Sequence, residues 1–223
     1  MKHSKIKIIA MTGMLSAVAF VAAYLSNLVP IKVMGFLSYD PKDIIIAIGG
    51  FILGPIPALI MTLISALLEL ASSPTGTGFI GFVMNVLSSV AFAFTAAFIY
   101  QKKRTFGGAI IALICGTVAM CATMLLWNYF ITPLYMNESR ENIAKVLPTV
   151  FLPFNLIKGV LNASITIVLY KPTVKALRKA RLVEGTNATD TKLGTFDVVA
   201  RVIICLLVAT SCVFAFLAMA GVL

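Results

Sequence analysis

Histidine is almost missing from this sequence: His3 is the only one in 223 residues, and charged residues of all kinds make up 12% of the chain. With that histidine in the N-terminal tail, the apolar segments contain no HExxH zinc motif and no Ser/His pair, so hydrolase chemistry lacks its parts. No phosphate loop occurs; TGTG at 75–78 is too short and wrongly placed, so the chain brings no ATPase of its own. Cys115, Cys121, Cys205 and Cys212 stand singly in apolar runs without CxxC spacing, which makes them packing residues rather than metal or redox ligands. No catalytic set and no metal site are expected. Ten-residue stretches of alternating polarity are also absent, which excludes an outer-membrane barrel. The chain shows no inverted pair of similar halves of the kind many secondary carriers have.

What is present is apolar sequence in windows of membrane-spanning length, 60% of the residues being hydrophobic. Only a helical bundle satisfies its backbone in lipid with such a pattern, so the sequence predicts an all-α, multi-pass protein of the lipid bilayer. The formal net charge of +10 comes from short basic clusters beside apolar spans. They read as topology signals, not as a nucleic-acid surface. The basic N-terminus leads into an apolar run that continues to Val29 without a cleavage site, a retained first helix.

Candidate spans are 6–29, 43–53, 56–71, 79–100, 107–134, 147–170 and 198–222. The Gly54-Pro55-Ile56-Pro57 break argues for a turn between the second and third. Counting them as two helices puts Lys102, Lys103, Arg104 and the Lys171–Arg181 cluster on the side of the N-terminus, as the positive-inside rule requires. The chain therefore divides into a six-helix membrane unit, 1–171, a basic and polar cytoplasmic linker, 172–197, and an additional C-terminal transmembrane helix, 198–223.

Lys158 lies deep in the sixth span, where an ammonium costs a few kcal/mol. Asn155, Lys158 and Asn162 follow i, i+3, i+7 spacing and share one helix face, which must look into the bundle. A structural alternative has Lys158 snorkelling, or binding a carbonyl freed by Pro153. Thr62, Ser65 and Glu69 form a second polar stripe on the third span. Glu69 could pair with Lys158, but its position just before Ala71-Ser72-Ser73-Pro74 favours contact with external water. Asn85 and Asn128 add uncharged polar groups toward the outer side; Trp127 and Tyr129 could serve as interface anchors. The outer connections MGFLSYDPKD and SSPTGTGF are rich in glycine and hydroxyls, suited to covering a ligand or simply to turning the chain. On the first span, Gly13 and Ala17 make a small-xxx-small pair, open to close approach by a helix of the bundle or of a partner.

The ordered set GMLSAVAF, FLSYDPKDIIIAIGGFILGPIPALI, TGTGFIGFVMN, WNYFITPLY and LPFNLIKG resembles the S components of energy-coupling factor (ECF) vitamin transporters, most closely those that bind riboflavin, over residues 5–171. The resemblance implies a six-helix fold with a vitamin site near the extracellular side, in a bacterial cytoplasmic membrane. It implies partnership with a T subunit and two ATPases, and transport by toppling of the S component. Matched by position, Leu37, Ser38, Asn128, Asn155 and Lys158, with Asn85 as an addition, would be flavin contacts. Gly13 and Ala17 would face the T subunit, and riboflavin would be cargo rather than cofactor. Rival readings are an S component for another vitamin, a self-sufficient ion-coupled carrier using Glu69 and Lys158, and an intramembrane enzyme.

Overall fold

The computed structural model describes residues 5–28, 33, 37–72, 78–180, 182, 195–219 and 221. His3, parts of both outer connections (34–36 and 73–77) and half of the polar linker (181 and 183–194) lie outside the described residues. The helices are α1 (Lys5–Asn27), α2 (Lys42–Leu53), α3 (Pro55–Ser72), α4 (Gly78–Lys102), α5 (Phe106–Phe130), α6 (Thr132–Met136), α7 (Arg140–Val146), α8 (Leu152–Lys179) and α9 (Thr195–Met219). Among the described residues the extended structure is a single backbone bridge, Val33 to Leu37, with N···O distances of 2.9 and 3.0 Å.

Six of these elements are long and apolar enough to cross a membrane: α1, α3, α4, α5, the α7–α8 run and α9. The protein is thus an all-α membrane bundle with an additional C-terminal helix. Among the expected spans the exception is α2, whose 12 residues rise only about 18 Å. Ten of its residues are buried, so α2 is an inner helix, enclosed by α1, α3, α4 and α8. Glycines make that enclosure possible. A Cβ at Gly50 would stand 2.8 Å from the Ala97 Cβ, and one at Gly116 would stand 2.6 Å from the Phe92 carbonyl oxygen. Gly54, at φ +111°, makes the turn that lets Pro55 start α3 in the reverse direction.

Two helices change pitch. A π-helical turn, Val90–Phe94, interrupts α4, and another, Leu147–Phe151, joins α7 to α8. The expected span 107–134 ends earlier, at Phe130; Thr132-Pro133 then opens the short α6, which stops at Asn137 in the left-handed region. The sixth span runs beyond the expected 147–170 in both directions. Ser139 caps its start by accepting from Asn142 N at 3.2 Å, and α8 continues through Pro172 to Lys179. Leu177 on this extension packs with Met11, Ile44, Ile48 and Ile52, which explains why the helix survives its proline.

The two ends of the bundle are identified by their charges. Tyr100 and Tyr170 bring their hydroxyls to 3.0 Å, and Phe51 stacks on Tyr100 with centroids 4.3 Å apart. The basic residues just beyond, Lys102–Arg104 and Lys171–Lys179, therefore share one end, the inner one. Outward-facing side chains such as Leu67, Ile111, Val118 and Leu207 are more than half exposed, as lipid contact requires.

Candidate functional site

The outer half of the bundle gathers five ionisable groups around the first turn of α2. The chain leaves α1 at Asn27 and re-enters at Pro41, and Ser26 Oγ donates to the Tyr39 carbonyl at 2.7 Å to fix that re-entry. Lys42 and Asp43 then enter the bundle fully buried. Lys42 Nζ lies 2.6 Å from Glu69 Oε1 on α3 and 3.0 Å from Asp40 Oδ2. Asn85 on α4 donates to the other Glu69 oxygen at 2.7 Å. Lys158 Nζ, from α8, lies 3.6 Å from Asp43 Oδ2 and 3.4 Å from Ser88 Oγ. Two lysines thus answer three carboxyl groups in a region screened from water, where pairing is what makes burial tolerable.

The loop groups show the same balance. Burial pushes the Asp40 carboxyl up, but Lys42 beside it, with Lys158 beyond, outweighs burial and holds it below the ordinary carboxylate range. Tyr39 is raised by burial, then by Asp43 and Asp40, and remains a neutral phenol; its hydroxyl donates to Asn162 Oδ1 at 2.7 Å.

Lys158 is 8% exposed, Asn155 2% and Asn162 0%, so the polar face expected on this helix does look into the bundle. Asn155 Nδ2 donates to the Phe151 carbonyl at 2.7 Å, answering a backbone acceptor at the π-helical turn. Lys158 instead reaches across to α2 and α4. Asn128 is fully buried near the outer end of α5, its Oδ1 accepting from Thr132 at 2.9 Å. Among the described residues, the buried side-chain atoms without a hydrogen-bond partner are Asn128 Nδ2, Asn162 Nδ2, Trp127 Nε1, both Asp43 carboxylate oxygens, Ser89 Oγ and Thr166 Oγ1. Trp127 therefore faces inward, whereas Tyr129 is 37% exposed as an interface anchor would be. Leu37 is buried at 4%, and Ser38 follows it half-buried. Gly13 and Ala17 lie on the exposed side of α1, and nothing stands within 4 Å of a Cβ built at Gly13.

Two sequence expectations are corrected. Glu69 does not end in external water: its side chain is 12% exposed and pairs with Lys42. Nor does it meet Lys158, whose ion partner is Asp43, so the switching pair required by the ion-coupled carrier does not exist here. Asp40, Lys42 and Asp43 were missed as members of the site. The available signal was the D-P-K-D run that opens a short apolar helix, charge too close to its apolar residues to stay outside the bundle.

Comparisons with known proteins place this geometry. The family model described as "ECF transporter, substrate-specific component" matches residues 7–170. A "Riboflavin transporter RibU" from Staphylococcus aureus is 29% identical over 173 residues, 75% of this chain and 90% of the relative. One of the same name from Streptococcus thermophilus is 28% identical over 180 residues, 77% of this chain and 84% of the relative. A solved structure of the S component of a bacterial ECF transporter superposes with a TM-score of 0.67 at 29% identity, covering 78% of this chain and 99% of that one.

Proposed function

The chain belongs to the substrate-specific components of ECF transporters, and from that premise we propose that it is the riboflavin-capturing subunit of a multi-pass membrane uptake system. The observation that carries the proposal is Lys158. Its ammonium is buried, yet both neighbours stand at 3.4 and 3.6 Å, longer than the 2.7–2.9 Å of a charge-assisted hydrogen bond, so its donors are not fully used. An isoalloxazine ring needs an apolar slot with donors for two carbonyls, and the ribityl chain needs partners for its hydroxyls. Lys158 donates, and Asn128, with a spare amide N–H, stands ready to do the same. Leu37 and Ser38 supply the loop side of the slot, and Asn155 the α8 side. Asn85 acts through Glu69, holding the carboxylate that neutralises Lys42. The names of the two bacterial relatives support the choice of riboflavin.

Capture alone moves nothing across a membrane. In this reading a T subunit docks on the exposed Gly13–Ala17 surface, where small side chains let helices approach closely, and two ATPase subunits drive transport. The chain serves as a binding subunit and not as an enzyme, with riboflavin as cargo rather than cofactor.

The test is a fluorescence titration of the purified, folded protein with riboflavin, followed by competition with other vitamins. Saturable quenching of flavin emission that unrelated vitamins do not reverse is expected. Absence of riboflavin binding by folded protein, or displacement by another vitamin at lower concentration, would overturn the assignment.

A further inference from the structure

The helix α9 begins well beyond residue 170, where the family match stops, and its packing gives it a role. Within its apolar window no residue is fully buried, yet the half-buried positions are not scattered. Val202, Cys205, Ala209, Cys212, Phe216 and Met219 alternate spacings of three and four, a seam along one side of the helix, with half-buried Leu217 flanking it at the outer end. The remaining surface carries Ile203, Ile204, Leu206, Leu207 and Phe214, each at least half exposed and suited to lipid. The helix it rests on is α8, which carries Asn155, Lys158 and Asn162.

At the outer end the seam reaches further than α8. Phe216 lies beside Phe154 with ring centroids 6.1 Å apart. Phe216 and Met219 also pack against the cluster of Val33, Leu37, Ile143, Phe151 and Phe154. That cluster joins three things the site depends on: the Val33–Leu37 bridge leading into Ser38–Asp40, the π-helical turn whose carbonyl Asn155 answers, and α7. Meanwhile α9 leaves Gly13 and Ala17 exposed, so it does not occupy the surface assigned to the T subunit.

We infer that α9 is a buttress of the binding site: through Phe216 and Met219 it holds Leu37 and the outer end of α8 in their binding positions and slows release of the captured ligand. Phe216 is a positioning residue and touches no ligand. The inference rests on riboflavin being the ligand, so the experiment includes a ligand-free arm.

The full chain, reconstituted in lipid nanodiscs, is compared with Phe216→Ala, Phe216→Leu and the lipid-facing control Ile204→Ala. Stopped-flow flavin fluorescence should show the Phe216→Ala dissociation rate rising about tenfold, the equivalent of about 1.4 kcal/mol. The association rate and thermal midpoint should stay near wild type, Phe216→Leu should recover most of the loss, and Ile204→Ala should match wild type. Hydrogen exchange without ligand should show the Leu37 amide opening faster in Phe216→Ala and unchanged in Ile204→Ala. A wild-type dissociation rate in Phe216→Ala would overturn the inference, as would equal losses in Phe216→Ala and Ile204→Ala. If the wild type fails to bind riboflavin, the functional assignment falls and the exchange arm decides: faster Leu37 exchange in Phe216→Ala alone upholds the buttress, and equal exchange overturns it.

Discussion

At its inner end the bundle is closed by Phe51, Tyr100 and Tyr170 and by Ala93, Ala96, Ala97 and Ala112, all of these alanines at zero exposure. At its outer end the same inner helix, α2, carries Lys42 and Asp43 into equal burial with ion partners from α3 and α8. The contrast separates two jobs. Small residues and glycines bring the inner halves into close contact. The outer halves are kept polar, at a cost in desolvation that only pairing offsets. The proposed capture of a ligand from one side of a membrane fits this asymmetry, with close apolar packing at one end and buried, incompletely satisfied polar groups at the other.

Mutations can pull the two ends apart. The largest effect is expected from Lys42→Ala, which leaves Asp40 and Glu69 facing each other without a counter-charge; about 3–5 kcal/mol of stability should be lost. Chemical denaturation in detergent would show it, and Glu69→Gln should cost less because Asn85 can still be hydrogen-bonded. Gly116→Ala comes next. Its Cβ would press on the Phe92 carbonyl oxygen at the π-helical turn of α4, and about 1–3 kcal/mol should go. A lowered thermal midpoint with ligand affinity intact is the expected pattern, since this contact belongs to the close apolar packing. Tyr100→Phe should matter least, removing one hydroxyl contact to Tyr170 worth about 1 kcal/mol and leaving the ring stacked on Phe51. If Tyr100→Phe altered flavin affinity instead, the division between apolar end and site would be wrong.

The same division explains what could be read from the sequence. The helices were visible as apolar runs, and the reversal between α2 and α3 was visible in Gly54-Pro55, because both are local physics. Lys158 announced itself as a charge inside an apolar window, and its spacing from Asn155 and Asn162 fixed the face it shares. Glu69 was misread for the opposite reason. It sits at the end of a helix, where local pattern favours water, and its partner Lys42 is 27 residues away in the chain. Asp40, Lys42 and Asp43 look like an ordinary polar loop until α1, α3, α4 and α8 close around them. Burial on every side is a property of packing that no window of sequence contains. The seam on α9 was hidden similarly, since Cys205, Ala209 and Cys212 differ little in polarity from the lipid-facing residues between them.

The central claim is that riboflavin is held by the under-committed ammonium of Lys158, and isothermal titration of Lys158→Met beside wild type tests it most directly. Methionine keeps length while removing both the charged donor and the ion partner of Asp43, so Lys158→Met is titrated beside Lys158→Met/Asp43→Asn, which leaves no unpaired buried carboxylate; in both, affinity should fall roughly a hundredfold, as loss of a hydrogen bond from a charged group of about 2–3 kcal/mol requires. Wild-type affinity in a folded Lys158→Met protein would contradict the account.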